Sequence, residues 1–243
     1  SKIDIGILLK DNTVSILLLC AGDEQAKELL RNSIAAHYGN NPIAFETLQF
    51  NTTGKILQKF GPIKLRLSLK LDTHFRFPSH FRQDYELRLF KIPVRRQSET
   101  FNGETYYLKT GNQPATSSQD VDLFQTVQQR LWAFSSVMLM PLNEMFVELK
   151  YISDTCIIAY NSETEISAQI NFYDNYQLQQ VTTTSPYNED EFVIKLSHET
   201  EVIDERKVYK HLTVGWNNQA TYTLHTSYIN FVEEMDSAIF QLE

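Results

Sequence analysis

The sequence predicts an α+β fold made mostly of antiparallel strands, a curved sheet or incomplete β-barrel with two helices packed on it. Three observations predict it. Ile63, Leu65, Leu67, Leu69 and Leu71 alternate with Lys64, Arg66, Ser68, Lys70 and Asp72. That is the period of a strand with one covered and one wet face, which belongs to an antiparallel sheet. Two segments carry apolar residues at helical spacing. Turn residues recur at Ser153-Asp154, Asn161-Ser162, Asp174-Asn175 and Asn217-Asn218, the rhythm of a meander between Met145 and Phe231.

Along the chain, residues 3–19 read as two strands around a Lys10-Asp11-Asn12-Thr13 turn. Asp23 can cap the first helix, in which Ala26, Leu29, Leu30, Ile34 and His37 share a face. Gly39 offers a left-handed stop and Pro42 prevents resumption. At the end of this helix a charged His37 would favour the dipole. A strand is expected from Phe45 to Gly54. After the alternating segment, Tyr85, Leu87 and Leu89 repeat the strand pattern, and Phe101-Asn102-Gly103-Glu104-Thr105 reads as a turn. Ser117 or Ser118 can cap the second helix, with Asp120 in its first turn. Val121, Phe124, Val127, Leu131 and Phe134 form its stripe, and Pro141 marks its end. Asp204-Glu205 and Tyr187–Glu191 read as solvated loops. No linker or long repeat divides the chain, so one domain over 1–243 is expected.

Composition excludes several classes. The net charge of −8 argues against general nucleic-acid binding, which needs a basic footprint. The charge is uneven, however. Between Lys55 and Arg96 stand eleven basic and three acidic residues, leaving the remainder near −16. Such a segment can meet anions, or can simply form wet strand faces. Cys20 and Cys156 lie in apolar runs and are expected to be buried free thiols. No stretch reaches the roughly 18 apolar residues of a membrane span. Lys10, Asp11 and Asn12 interrupt the apolar start, which is too short and polar for a signal peptide. A cytoplasmic location is therefore expected ahead of a periplasmic one, with an exported, already trimmed chain as the alternative.

No phosphate loop, nucleophile elbow or paired-cysteine zinc pattern is present. No catalytic residue, metal ligand or cofactor is assigned. His74, His80 and Asp84 could form an acid–base cluster, but a six-residue gap across Pro78 fixes no geometry. The stronger signal is a surplus of large apolar groups between Leu131 and Phe146, with three of the four methionines. They are ordinary core, or one wall of an apolar pocket between helix and sheet.

The run Ala26–Gly39 with the strand after it resembles the opening of bacterial proteins related to the lipoprotein carriers LolA and LolB. Phe101–Tyr107 is similar to their hairpin, with Tyr107 where a Trp is common. Arg130-Leu131-Trp132-Ala133-Phe134-Ser135, Met140-Pro141 and the strands to Val181 resemble an uncharacterised bacterial family with the same element order. The resemblance implies a half-open β-barrel closed by helices, with an apolar interior of the kind that holds acyl chains, and no catalytic residues. The function expected is non-catalytic binding of a hydrophobic or acyl-chain small molecule. Leu67, Trp132, Phe134, Met138 and Met140 are the wall candidates. Arg76, Arg82 and Arg88 are the rim candidates, and an anionic membrane surface is a candidate partner. Two other readings stand beside it: a protein-interaction module with a solid core, and an enzyme around His74, His80 and Asp84.

Overall fold

The computed structural model describes residues 7–10, 13–217, 219 and 221–243. Strands β1 (Ile7–Lys10) and β2 (Thr13–Ile16) pair as a separate antiparallel hairpin. Of the expected 3–19 hairpin, residues 3–6 and the turn residues Asp11 and Asn12 lie outside the described residues, and the second strand ends at Ile16, leaving Leu17–Leu19 outside it. The short strand β3 (Ala21–Gly22) leads into helix α1 (Glu24–Tyr38), with Ala26, Leu29, Leu30, Ile34 and His37 on its buried face as the spacing predicts. The Asp23 side chain does not cap α1. Its Oδ2 accepts from the Tyr151 N–H at 2.9 Å, because β3 lies parallel to a neighbouring strand there. That pairing also demands glycine at position 22: φ is +114°, and a Cβ would sit 2.0 Å from the Leu149 carbonyl oxygen.

Strands β4 (Thr47–Phe60) and β5 (Ile63–Arg76) form a long hairpin, paired residue for residue from Thr47 opposite Arg76 to Phe60 opposite Ile63. Both run further than the sequence pattern indicates. Then come β6 (His80–Leu89), β7 (Ile92–Phe101), β8 (Tyr106–Thr110) and β9 (Thr116–Ser118). The expected Asn102-Gly103 turn joins β7 to β8; the Asn102 side-chain oxygen accepts from the Glu104 and Thr105 N–H groups.

Helix α2 (Val121–Met138) is capped by Asp120, whose carboxylate accepts from the Asp122 N–H at 2.9 Å. Ser117 and Ser118 are not the cap: they close β9, and the Ser118 hydroxyl accepts from the Asp120 N–H. The buried face is wider than the predicted stripe. It takes in Trp132, Ser135, Ser136 and Val137, while Val121 is exposed. The buried serines are tolerated because each hydroxyl donates to the carbonyl four residues back, Leu131 and Trp132. The helix stops at Leu139, whose φ is +62°, and Pro141 sits in the 3-10 turn Met140–Leu142 that follows.

The second half is the expected meander: β10 (Val147–Ser153), β11 (Cys156–Asn161), β12 (Ile166–Phe172), β13 (Leu178–Thr184) and β14 (Phe192–Leu196). The chain then leaves the sheet for a hairpin of its own, β15 (Thr200–Ile203) and β16 (Arg206–Tyr209), before β17 (His211–Trp216) and β18 (Tyr222–Asn230). Asp204-Glu205 is solvent-exposed, as expected of a solvated loop. It is the two-residue turn of that hairpin, with both residues at positive φ, 49° and 62°.

The main sheet has fourteen strands in the order β3-β10-β11-β12-β13-β14-β17-β18-β4-β5-β6-β7-β8-β9. Pairing of β18 with β4 joins the two halves. The terminal strands β3 and β9 do not pair with each other, so the barrel stays open. One face of the sheet carries Phe50, Leu67, Leu69, Leu71, Phe75, Phe81 and Leu87, all buried, and α2 packs on β12, β13 and β14 of the same layer. Cys20 and Cys156 are both buried and unbridged.

Candidate functional site

The covered face is packed over most of its extent, but one apolar cavity of about 40 Å³ remains where α1, α2 and the β15–β16 hairpin meet. Phe134, Val137 and Met138 from the end of α2 form one wall. Ile194 and Leu196 of β14, with Ile229 of β18, form the sheet side. Val208 and Tyr209 of β16 form the cover, and His37 and Tyr38 enter from α1. The volume suits a water molecule or two, so an acyl chain enters only if the cover moves.

The polar groups at the cavity form one neutral chain. His37 Nδ1 lies 2.6 Å from the Ser33 carbonyl, which can only accept, so this nitrogen carries the proton. His37 Nε2 then accepts from the Tyr209 hydroxyl at 2.6 Å. The Tyr209 oxygen accepts in turn from the Leu178 N–H at 2.7 Å. Burial, reinforced by the Lys207 ammonium, pulls the His37 pKa down to about 4, against the opposing Ser33 hydrogen bond. The ring is therefore neutral at pH 7, not the charged helix-end group its position suggested. Burial also raises the Tyr209 and Tyr38 hydroxyls well above the usual range. Tyr38 donates to the Met138 carbonyl at 2.8 Å, tying α1 to the end of α2. Replacing Tyr209 with Phe strands a buried N–H at Leu178 and a buried nitrogen on His37. We expect a loss of about 2 kcal/mol, read as a lower urea midpoint with unchanged slope.

The cover stands apart from the main sheet ladder: among the described residues β15 and β16 pair only with each other. Its footing is side-chain packing. β16 lies against α1 with Val208 and Tyr209 buried, Arg206 lies over the Phe231 ring at 4.3 Å and the Phe45 ring at 5.8 Å, and Tyr209 supplies the His37 link. Cation–π contacts of this kind contribute about 0.5–1 kcal/mol at partly exposed sites.

Of the wall candidates, Phe134 and Met138 line the cavity. Leu67, Trp132 and Met140 do not; they are 1%, 2% and 4% exposed and belong to the solid core. The Trp132 indole donates to the Ala159 carbonyl at 3.0 Å, which makes it a structural anchor of α2 on β11. The arginine candidates do not rim the cavity. Strand alternation puts Arg76, Arg82 and Arg88 on the face opposite Phe75, Phe81 and Leu87. There Arg76 lies 5.3 Å from the Phe240 ring centroid and donates to Ser237, Arg82 pairs with Asp84 at 2.9 Å, and Arg88 pairs with Glu86. The cation at the cavity is Lys207. Nothing in the sequence singles it out, because which strand of the meander covers the cavity depends on tertiary packing.

On that opposite face the structure brings His74 and Asp84 together with Asp72, their ligand atoms within 4.8 Å of one another. His80 is not part of this group; it stacks edge-on against Phe240 at 5.2 Å. The Asp84 carboxylate is already held by Arg82 and by the Ser98 hydroxyl.

An open sheet whose covered face holds two helices can be compared with known structures. A LolA superfamily protein from Nitrosomonas europaea superposes with a TM-score of 0.51 at 8% identity, covering 89% of this chain and 97% of its own. The fold is LolA-like. A domain described as an outer membrane lipoprotein-sorting protein, from Vibrio parahaemolyticus, gives a TM-score of 0.47 at 9% identity, with 89% and 96% covered. No protein-family model and no curated sequence matches the chain. The cavity lies between the two helices, the sheet and the β15–β16 hairpin.

Proposed function

We propose that the protein binds a hydrophobic, acyl-chain-bearing small molecule, without catalysis, in the cavity under the β15–β16 hairpin. The observation that carries this is the apolar gap itself. It lies among buried apolar side chains of both helices and the sheet, under a cover that takes no part in the main sheet. In this reading the hairpin swings away from α1, and the chain enters between Met138, Leu196 and Ile229. Each methylene transferred from water contributes roughly 0.8 kcal/mol, so several are needed to offset breaking the Tyr209–His37 link and exposing Val208. Lys207 meets an anionic or polar head at the entrance. An anionic membrane surface, facing the basic 55–96 segment, is the partner from which such a ligand would come. The LolA-like fold agrees with this reading, as does the carrier resemblance of the sequence.

The test is displacement of a hydrophobic fluorescent dye by medium-chain fatty acids, with native mass spectrometry of the purified protein. Met138→Trp fills the gap and should weaken dye binding about tenfold or more. Met145→Trp, at an exposed site, should leave it unchanged. A wild-type protein that binds no dye and carries no copurified lipid removes the proposal.

A further inference from the structure

The structure carries a second apolar surface, far from the cavity in the strand register. In a run of consecutive antiparallel hairpins, the β4–β5 and β6–β7 turns fall at the same end of the sheet. The β4–β5 hairpin also outruns its neighbour. The last β5–β6 pair toward that end is Ser68 with Arg88, yet β4 and β5 continue to Phe60 and Ile63. At these tips the apolar side chains are uncovered: Phe60 is 49% exposed, Ile63 58%, Phe90 88% and Ile92 69%. Phe60 faces Ile63 across the first hairpin, and Ile92 faces Leu89 across the second. Single exposed apolar residues are ordinary, but a cluster at one end of a molecule marks a contact surface.

The charges around the tips say what that contact is. Residues 55–66 and 87–98 hold eight Lys and Arg and no Asp or Glu, in a chain of net charge −8. Among the described residues, only Arg88 and Arg96 of these eight pair with a carboxylate, that of Glu86. Two such ends would repel each other, which disfavours a second copy of this chain. A surface that is negative, and apolar just beneath, satisfies both features at once. We infer that the two hairpin tips dock on an anionic phospholipid surface. Phe60, Ile63, Phe90 and Ile92 enter the headgroup layer, and the surrounding Lys and Arg meet lipid phosphates. The strongly acidic remainder of the chain is repelled by the same surface, so the molecule approaches tips first. The inference rests on the acyl-ligand reading for its purpose, and on the hairpins' own residues for the contact.

Vesicle sedimentation tests it. Vesicles with about 30 mol% phosphatidylglycerol in phosphatidylcholine should bind the protein about tenfold more tightly than pure phosphatidylcholine, and high salt should reduce the difference. The Phe60→Ser/Phe90→Ser pair should lower that binding about tenfold while leaving thermal stability and dye binding unchanged, since both rings are exposed. Phe90→Trp should show a blue-shifted emission on the anionic vesicles. The inference is overturned if the protein ignores anionic vesicles, or if the double serine variant binds them as well as the wild type. A solution dimer that the serine pair dissociates, with no vesicle binding, assigns the tips to a second copy and also overturns it. Dye binding without vesicle binding removes this inference and spares the cavity. Vesicle binding without dye binding upholds it and removes the cavity reading.

Discussion

Between pH 6.5 and 4 the folded state should lose about 3 kcal/mol through His37 alone. The imidazole has an ordinary pKa near 6.5 in the unfolded chain and about 4 in the fold, where burial comes first and the Lys207 ammonium second among the forces holding it neutral. At about 1.4 kcal/mol for each tenfold in proton affinity, that gap is about 3 kcal/mol. The sign follows from which state binds the proton. Above pH 6.5 neither state is protonated at this residue, and its full contribution is present. As the pH falls, the unfolded chain takes up a proton that the native state refuses, so stability drops until about pH 4. The local chemistry agrees. Protonated Nε2 would point a hydrogen at the Tyr209 hydroxyl, which already accepts from Leu178 and donates to His37. The His37–Tyr209 bond alone would have to reverse, because the Ser33 carbonyl can only accept and the Leu178 N–H can only donate, and the Tyr209 proton would lose its acceptor. Urea midpoints of the wild type and His37→Gln, taken at half-unit steps from pH 7 to 4, check this. The variant should show a much flatter decline; parallel curves would remove His37 as the cause.

That result bears on the cavity, because His37 and Tyr209 are also its cover's tie to α1. Acidification should loosen the β15–β16 hairpin before it unfolds the sheet. Faster amide exchange at Val208 and Tyr209 near pH 5, with β11 and β12 still protected, is the expected local signature.

The parts of the fold that were legible in the sequence are those that obey one period. The 63–72 alternation gave β5 its inward leucines, and the 3.6-residue spacing gave α1 and α2, because in each the pattern records a single buried face. What escaped notice depended on long-range partners. Asp23 has the chemistry of a cap, but β10 offers its carboxylate a backbone N–H first. The Asp204-Glu205 turn lacks the Asn-Gly signature of its backbone geometry, so nothing local marks its hairpin as one that leaves the main sheet and brings Lys207 and Tyr209 to the cavity. The arginine candidates lie away from the cavity for a simpler reason. A basic segment on a two-faced strand can point either way, and residues of the same parity as Lys64 and Arg66 had to share their wet face. Phe134 and Met138 reached the cavity because they end α2 on the side that meets α1, a juxtaposition only the three-dimensional packing supplies.

Replacing Arg130 with Met should destabilise the fold by about 3 kcal/mol at pH 7, and by less as the pH falls. Arg130 extends from the middle of α2 to Glu99 of β7, with nitrogen–oxygen distances of 2.7 and 3.1 Å, while Tyr106 donates to the same carboxylate. The next residue back, Gln129, donates to the Thr183 and Asp190 carbonyls on the other half of the sheet. Adjacent residues thus fasten α2 to both halves of the open barrel, which holds Phe134 and Met138 at the cavity. Burial pushes the Glu99 carboxyl up, but the Arg130 guanidinium and the two kinds of hydrogen bond outweigh it and hold it below the usual range. In the wild type this pair therefore contributes stability above pH 4.5 that is lost on strong acidification. Removing one partner of a buried pair costs about 3–5 kcal/mol, because the other charge is left desolvated. The lower end applies here, since 22% of the Arg130 side chain and 13% of that of Glu99 stay exposed. Without Arg130 the remaining push on Glu99 is upward, so the variant's native state binds a proton more readily than its unfolded chain. Its deficit should then shrink between pH 7 and 4, the opposite of the His37 trend. Adding Glu99→Leu to Arg130→Met should restore part of the loss at pH 7 and remove the single variant's own gain in stability on acidification. A deficit of the same size at pH 7 and pH 4 would mean that Arg130 acts through its packing over the Phe81 ring, not through the charge of Glu99.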